Sequence, residues 1–107
     1  MTTLTEVITG NVIDYEIEYR IHATRRMFQR TIDNEEVEFI LKNGQIIERY
    51  DNDFPLPSLL LNGKTEAGRP LHVVVGMNLP ERKLVIIITN KPETALWTED
   101  FSRRLKI

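Results

Sequence analysis

Apolar and polar residues change period several times along this chain, and each change marks an element. Leu4, Val7 and Ile8 keep helical spacing, and Thr3 and Glu6 stand at capping-box distance, so residues 3–9 are predicted as a short helix stopped by Gly10-Asn11. Tyr15, Ile17, Tyr19 and Ile21 then alternate with Glu16, Glu18 and Arg20, the period of a half-buried strand. At His22 the alternation ends. Ala23 and Met27 lie four apart among good helix formers, which predicts a second helix over 23–30. A third follows from the Asp33/Glu36 capping box, the acidic first turn and the single apolar face of Val37, Ile40 and Leu41; Asn43-Gly44 is read as its left-handed stop.

Beyond Gly44 the pattern is that of strands. Gln45–Tyr50, Ser58–Leu61, Leu71–Gly76 and Leu84–Thr89 are each predicted extended. Asp51 to Pro57 is a connecting turn, Asn62-Gly63 a hairpin signal, and Asn78–Arg82 the loop of a final hairpin. The valine and isoleucine runs of the last two strands predict central positions in the sheet. Helices first and strands afterwards define an α+β domain spanning 1–107, with N-terminal helices on one face of an antiparallel sheet of four strands, or five.

Composition narrows the setting. A chain of 107 residues, 41% hydrophobic and 28% charged, fits one ordinary globular domain. It has no cysteine, which removes disulfides and thiolate zinc sites and fits a reducing cytoplasm. MTTLTEVITG lacks the basic start and apolar run of a signal peptide, and the longest apolar stretch, Leu84–Ile88, is far short of a membrane span, so no membrane partner is expected. The net charge of −2 argues against a surface that grips nucleic acid all over. The charge is segregated, however. Residues 20–30 hold Arg20, His22, Arg25, Arg26 and Arg30 without an acid, between acidic runs on either side.

Candidate chemistry gathers on that basic stretch and its partners. His22, Arg26 and Arg30 are successive i, i+4 neighbours, a column suited to phosphate; the alternative is that these arginines pair with the flanking acids. His22 and His72 are the only histidines and form an acid/base set, or else cap and pack. The tail pairs Trp97 and Phe101, which either stack on a nucleotide or dock on the core, with Arg103 and Arg104. No phosphate-binding glycine loop, nucleophile elbow or metal motif is present.

The sequence His22-Ala23-x-x-Arg26-Met27-x-x-Arg30, Asn43-Gly44, Ile47-Glu48-x-Tyr50, Arg69-Pro70-Leu71-His72-Val73-Val74, Pro92 and Trp97-x-x-x-Phe101-x-x-Arg104 resembles domain-of-unknown-function family 4258, over about Thr3 to Arg104. That resemblance implies a barnase–colicin–RelE type of fold, similar to RelE- and MqsR-like ribonuclease toxins. It implies the toxin half of a toxin–antitoxin pair, a zinc-finger antitoxin as partner, and cofactor-free, metal-independent cleavage of mRNA. On this chain the positions matching the family are His22, Arg26, His72 and Arg104, with His22, Arg26 and His72 as the catalytic candidates; the basic stretch and the tail add Arg25, Arg30 and Arg103 to Arg104 as candidate contacts to the RNA phosphates. Where many members have a tyrosine two residues before the last-strand proline, this chain has Asn90. A non-catalytic protein- or RNA-binding module is the other reading, and exposed strand edges would allow a homodimer.

Overall fold

The computed structural model describes residues 2–8 and 10–105. Helix α1 (Leu4–Val7) and a 3-10 turn (Val12–Asp14) lead into strand β1 (Glu16–Tyr19). Helices α2 (Ile21–Arg30) and α3 (Asn34–Asn43) follow, then β2 (Gln45–Tyr50), β3 (Ser58–Lys64), β4 (Pro70–Asn78) and β5 (Lys83–Asn90). The predicted N-terminal helix is shorter than 3–9: it ends at Val7, and Thr9 lies outside the described residues. Thr3 meets Glu6 only side chain to side chain, so the expected capping box does not form there.

The chain is α+β, but the sheet is mixed and has five strands, in the order β1-β5-β4-β3-β2. β2 to β5 form an antiparallel meander, whereas β1 lies parallel to β5 at the edge, Glu16 opposite Lys83 and Tyr19 opposite Ile86. Pattern alone could give β1 its period but not its neighbour. β1 covers only the first half of β5. At Arg20, whose N–H still donates to the Ile86 carbonyl, the chain turns into α2, which packs along the rest of β5.

One sheet face carries the core. Leu59, Leu61, Leu71, Val73, Val75, Met77, Leu84 and Ile86 pack against Leu4, Ala23, Met27, Val37, Ile40 and Leu41 from the helices. Burial of such side chains contributes roughly 1.5–3 kcal/mol each before chain entropy is charged against it. α2 starts two residues before the predicted Ala23 and ends in a left-handed Thr31. Arg69, from the β3–β4 turn, donates to the carbonyls of Arg30 and Thr31 at 2.5 and 2.6 Å and pairs with Glu36 at 3.6 Å, satisfying groups that a helix end leaves open. Asp33 caps α3 as the sequence predicts, accepting from the Glu36 N–H at 2.8 Å.

Two glycine readings are corrected. Gly44 is extended (φ −73°), not left-handed; it is glycine because a Cβ there would stand 2.6 Å from the Ile40 carbonyl oxygen. Asn62-Gly63 makes no hairpin but lies inside β3, where Gly63 lets the strand approach Gly44 closely. The turn falls later, at Thr65–Gly68, with the Gly68 N–H on the Thr65 carbonyl and Gly68 at φ +86°.

Candidate functional site

The helices leave the second sheet face open, and two β-bulges decide which side chains it presents. Between Ile46 and Glu48 the β2 register slips: Ile46 pairs with Leu61 on the core face, and Glu48 pairs with Leu60 on the other. Strict alternation from Ile46 would have turned Glu48 and Tyr50 toward the helices; the bulge turns both outward. A second bulge in β5 lets Val74 pair with Ile88 and Val75 with Ile86, so that consecutive Ile87 and Ile88 both border the open face.

The C-terminal tail lies over this face. It folds back on itself, with a bridge between Trp97 and Arg104 and the Leu105 N–H on the Leu96 carbonyl. Asp100 fastens the tip, accepting from the Thr98 hydroxyl and from both the N–H and hydroxyl of Ser102, and these bonds hold its carboxyl down to about 2. The tip is thereby aimed at the sheet. Asn62 Nδ2 donates to the Asp100 carbonyl at 3.0 Å, and His72 Nε2 lies 2.9 Å from the Phe101 carbonyl. A carbonyl only accepts, so His72 carries its proton on Nε2 and that nitrogen is engaged. Trp97 meets the imidazole edge-on at 4.4 Å between centroids, and burial pushes the His72 pKa down.

Arg104 is the tail's other anchor. Its Nε and Nη2 donate to the two oxygens of Glu48 at 2.8 and 3.1 Å, while the guanidinium lies 4.7 Å from the Trp97 ring centroid. The Tyr50 hydroxyl also donates to Glu48. Arg104 thus holds the Glu48 carboxyl below its usual range, and burial, reinforced by Glu48, pushes the Tyr50 phenol up. Tyr50 and Arg104 border an open cleft of about 500 Å³, with Ile87, Ile88 and Asn90 along its floor, and both donate to the ionised Glu48 carboxylate that joins them. Asn90 Oδ1 is covered and accepts no hydrogen bond from the described residues.

The sequence-predicted residues fall into three places. His72 and Arg104 line this cleft. His22, Arg26 and Arg30 line an adjoining cavity of about 300 Å³ that shares Ile87, Ile88 and Asn90 with it. Arg25 and Arg103 are exposed and line neither. Among the described residues the ion pairs are made by Arg49, Arg69, Lys83 and Arg104, so the α2 arginines are not tied to the acidic runs beside them. Trp97 docks, as one of its two readings has it, though on the open face and not on the helix-covered core. Glu48 and Tyr50 were not singled out as site residues; the signal for them was the Glu48-x-Tyr50 spacing, which the bulge alone makes meaningful. No group of three or more His, Asp or Glu among the described residues is arranged to hold a metal, and no helix is long and apolar enough to cross a membrane.

The family model described as Domain of unknown function (DUF4258) matches residues 19–89, two thirds of the chain, and the chain belongs to that family. The match takes in α2, Glu48, Tyr50 and His72 and stops before Asn90 and the tail, so it is shorter than the Thr3–Arg104 resemblance. No curated protein and no solved structure matches the chain.

Proposed function

We propose that the open sheet face binds RNA and cleaves it without a metal, as the RelE- and MqsR-like resemblance implies for an mRNA-cutting toxin. The observation that carries this reading is one floor with two chemically different walls: α2 cations that make no ion pair among the described residues on one side, and Tyr50 and Arg104, both bonded to the Glu48 carboxylate, on the other. Arg26 and Arg30 hold the phosphate backbone, and Arg104 exchanges Glu48 for the scissile phosphate. Glu48 then takes the proton of the 2′-hydroxyl, the 2′-oxygen bonds to phosphorus, and the bond to the 5′-oxygen breaks. His22, exposed on the far wall, protonates that leaving oxygen, and a 2′,3′-cyclic phosphate results. His72, whose Nε2 is engaged, becomes a positioning residue for the tail.

Purified protein incubated with cellular RNA in EDTA should yield defined fragments ending in cyclic phosphate. Glu48→Gln and His22→Ala should each slow cleavage by ~10²-fold or more while binding persists. Intact RNA after prolonged incubation at low salt, with wild-type protein, rejects the enzyme reading.

A second reading is a non-catalytic RNA- or protein-binding domain. It is favoured by the Glu48–Arg104 pair, which occupies both the base and the phosphate ligand. Binding without cleavage would support it. A zinc-finger antitoxin, as the resemblance implies, would cover the same groove in a reducing cytoplasm, and its co-purification should block RNA binding.

A further inference from the structure

We propose that the cavity between the start of α2 and the β2–β3 loop is a nucleobase pocket, so that the substrate of the groove is single-stranded RNA. The proposal rests on the RNA reading above. Its first support is Phe54, 95% exposed although the loop carrying it is braced on both sides. The Asp53 N–H donates to the Tyr50 carbonyl, Asp53 Oδ2 accepts from the Ser58 hydroxyl at 2.6 Å, and the Met77 N–H donates to the Pro57 carbonyl. Exposure of a large aromatic ring is costly and in a slack loop means little; on an anchored loop it is a presented surface.

The surroundings choose the occupant. Phe54 borders a cavity of about 380 Å³ with Leu56 and Ile87 as apolar lining and Arg20, His22 and Asp53 as polar lining. That volume is at the lower end for small-molecule sites, about 300–1,000 Å³. The pocket is continuous in its lining with both walls of the groove, through Asp53 and Ile87 on one side and His22 and Ile87 on the other. An aromatic face with cations beside it fits a flat base joined to a phosphate, because every base has a π-face while the phosphate needs Arg20 or His22. Asp53 repels phosphate and keeps Oδ1 free of the Ser58 bond, so it can accept an N–H from the edge of the base. Bases in a duplex are stacked and paired and cannot enter.

The test uses three oligonucleotides made uncleavable by 2′-O-methyl groups: a single strand, the same strand with abasic sites, and a duplex. Wild-type protein should bind the base-bearing single strand at least about tenfold more tightly than the abasic strand or the duplex. Phe54→Ala should erase that preference without changing affinity for the abasic strand, and Phe54→Trp should retain it. Because Phe54 is almost fully exposed, neither substitution removes a core contact. Equal binding of abasic and base-bearing strands overturns the pocket and leaves the phosphate groove standing. Absence of binding to all three at low salt overturns the groove reading itself, and the pocket with it.

Discussion

Removing the His72 imidazole should release the tail from the open sheet face. His72 is only 3% exposed and holds the tail in two ways, through its N–H on the Phe101 carbonyl and through the edge of Trp97. Leaving a covered carbonyl without its donor costs roughly 1–3 kcal/mol. Loss of the aromatic contact adds roughly 0.5–1.5 kcal/mol. His72→Ala should therefore weaken docking by roughly 1.5–4.5 kcal/mol, and His72→Phe, which keeps a ring and loses only the donor, by roughly 1–3 kcal/mol. The assay is built into the chain, because Trp97 is its single tryptophan and is buried when docked. In His72→Ala, Trp97 emission should shift to the red and become open to quenchers while far-UV dichroism still reports the sheet. Acid should act in the same direction. Burial lowers the His72 pKa, so the neutral ring's contribution is full above the ordinary value of 6.5 and is lost as pH falls through the lowered value. Glu48 and Arg104, the charged groups facing the ring, push in opposite senses, and Glu48 is held ionised to lower pH. If His72→Ala leaves Trp97 emission and quencher access as in the wild type, the docking account is wrong.

Two further substitutions probe what positions the site. Gly44→Ala must distort the C-terminal end of α3, because its Cβ would stand 2.6 Å from the Ile40 carbonyl oxygen that the residue-44 N–H bonds, and 3.2 Å from the Asn62 carbonyl of β3; a loss of roughly 1–3 kcal/mol should appear as a lower urea midpoint with an unchanged slope. Arg69→Met keeps the aliphatic stem but removes two donors from the end of α2, so amide protons of its last turn should exchange faster and stability should fall by roughly 1.5–3 kcal/mol; unchanged exchange there would show that the Arg30 and Thr31 carbonyls do not need Arg69.

Legibility in the sequence followed the range of the interaction. Capping of α3 by Asp33 and Glu36 is a contact over three residues, and it formed as predicted. The strands β4 and β5 and their hairpin are likewise local, and their apolar runs do take central positions. Gly44 does end α3 as predicted, though without the left-handed conformation, whereas the reason for Gly63 is an approach to Gly44 and Ile40 across the α3–β3 contact that no local pattern encodes. His72 was visible as a titratable residue, but not as one whose Nε2 is used by a carbonyl 29 residues away.

By itself the sequence determined the class of the fold, the position of most elements, the basic column of α2 and the family resemblance, because periodicity, caps and spacing are properties of neighbouring residues. Only the tertiary structure decided that β1 joins the sheet parallel to β5, and that two bulges turn Glu48, Tyr50, Ile87 and Ile88 toward one open face. It also decided that the tail brings Arg104 across 56 residues to Glu48. Side-chain direction in a strand has a period of two, so one extra residue reverses every assignment that follows it. That is why the Glu48–Tyr50–Arg104 cluster, and with it the candidate chemistry, belongs to the fold and not to the string of residues.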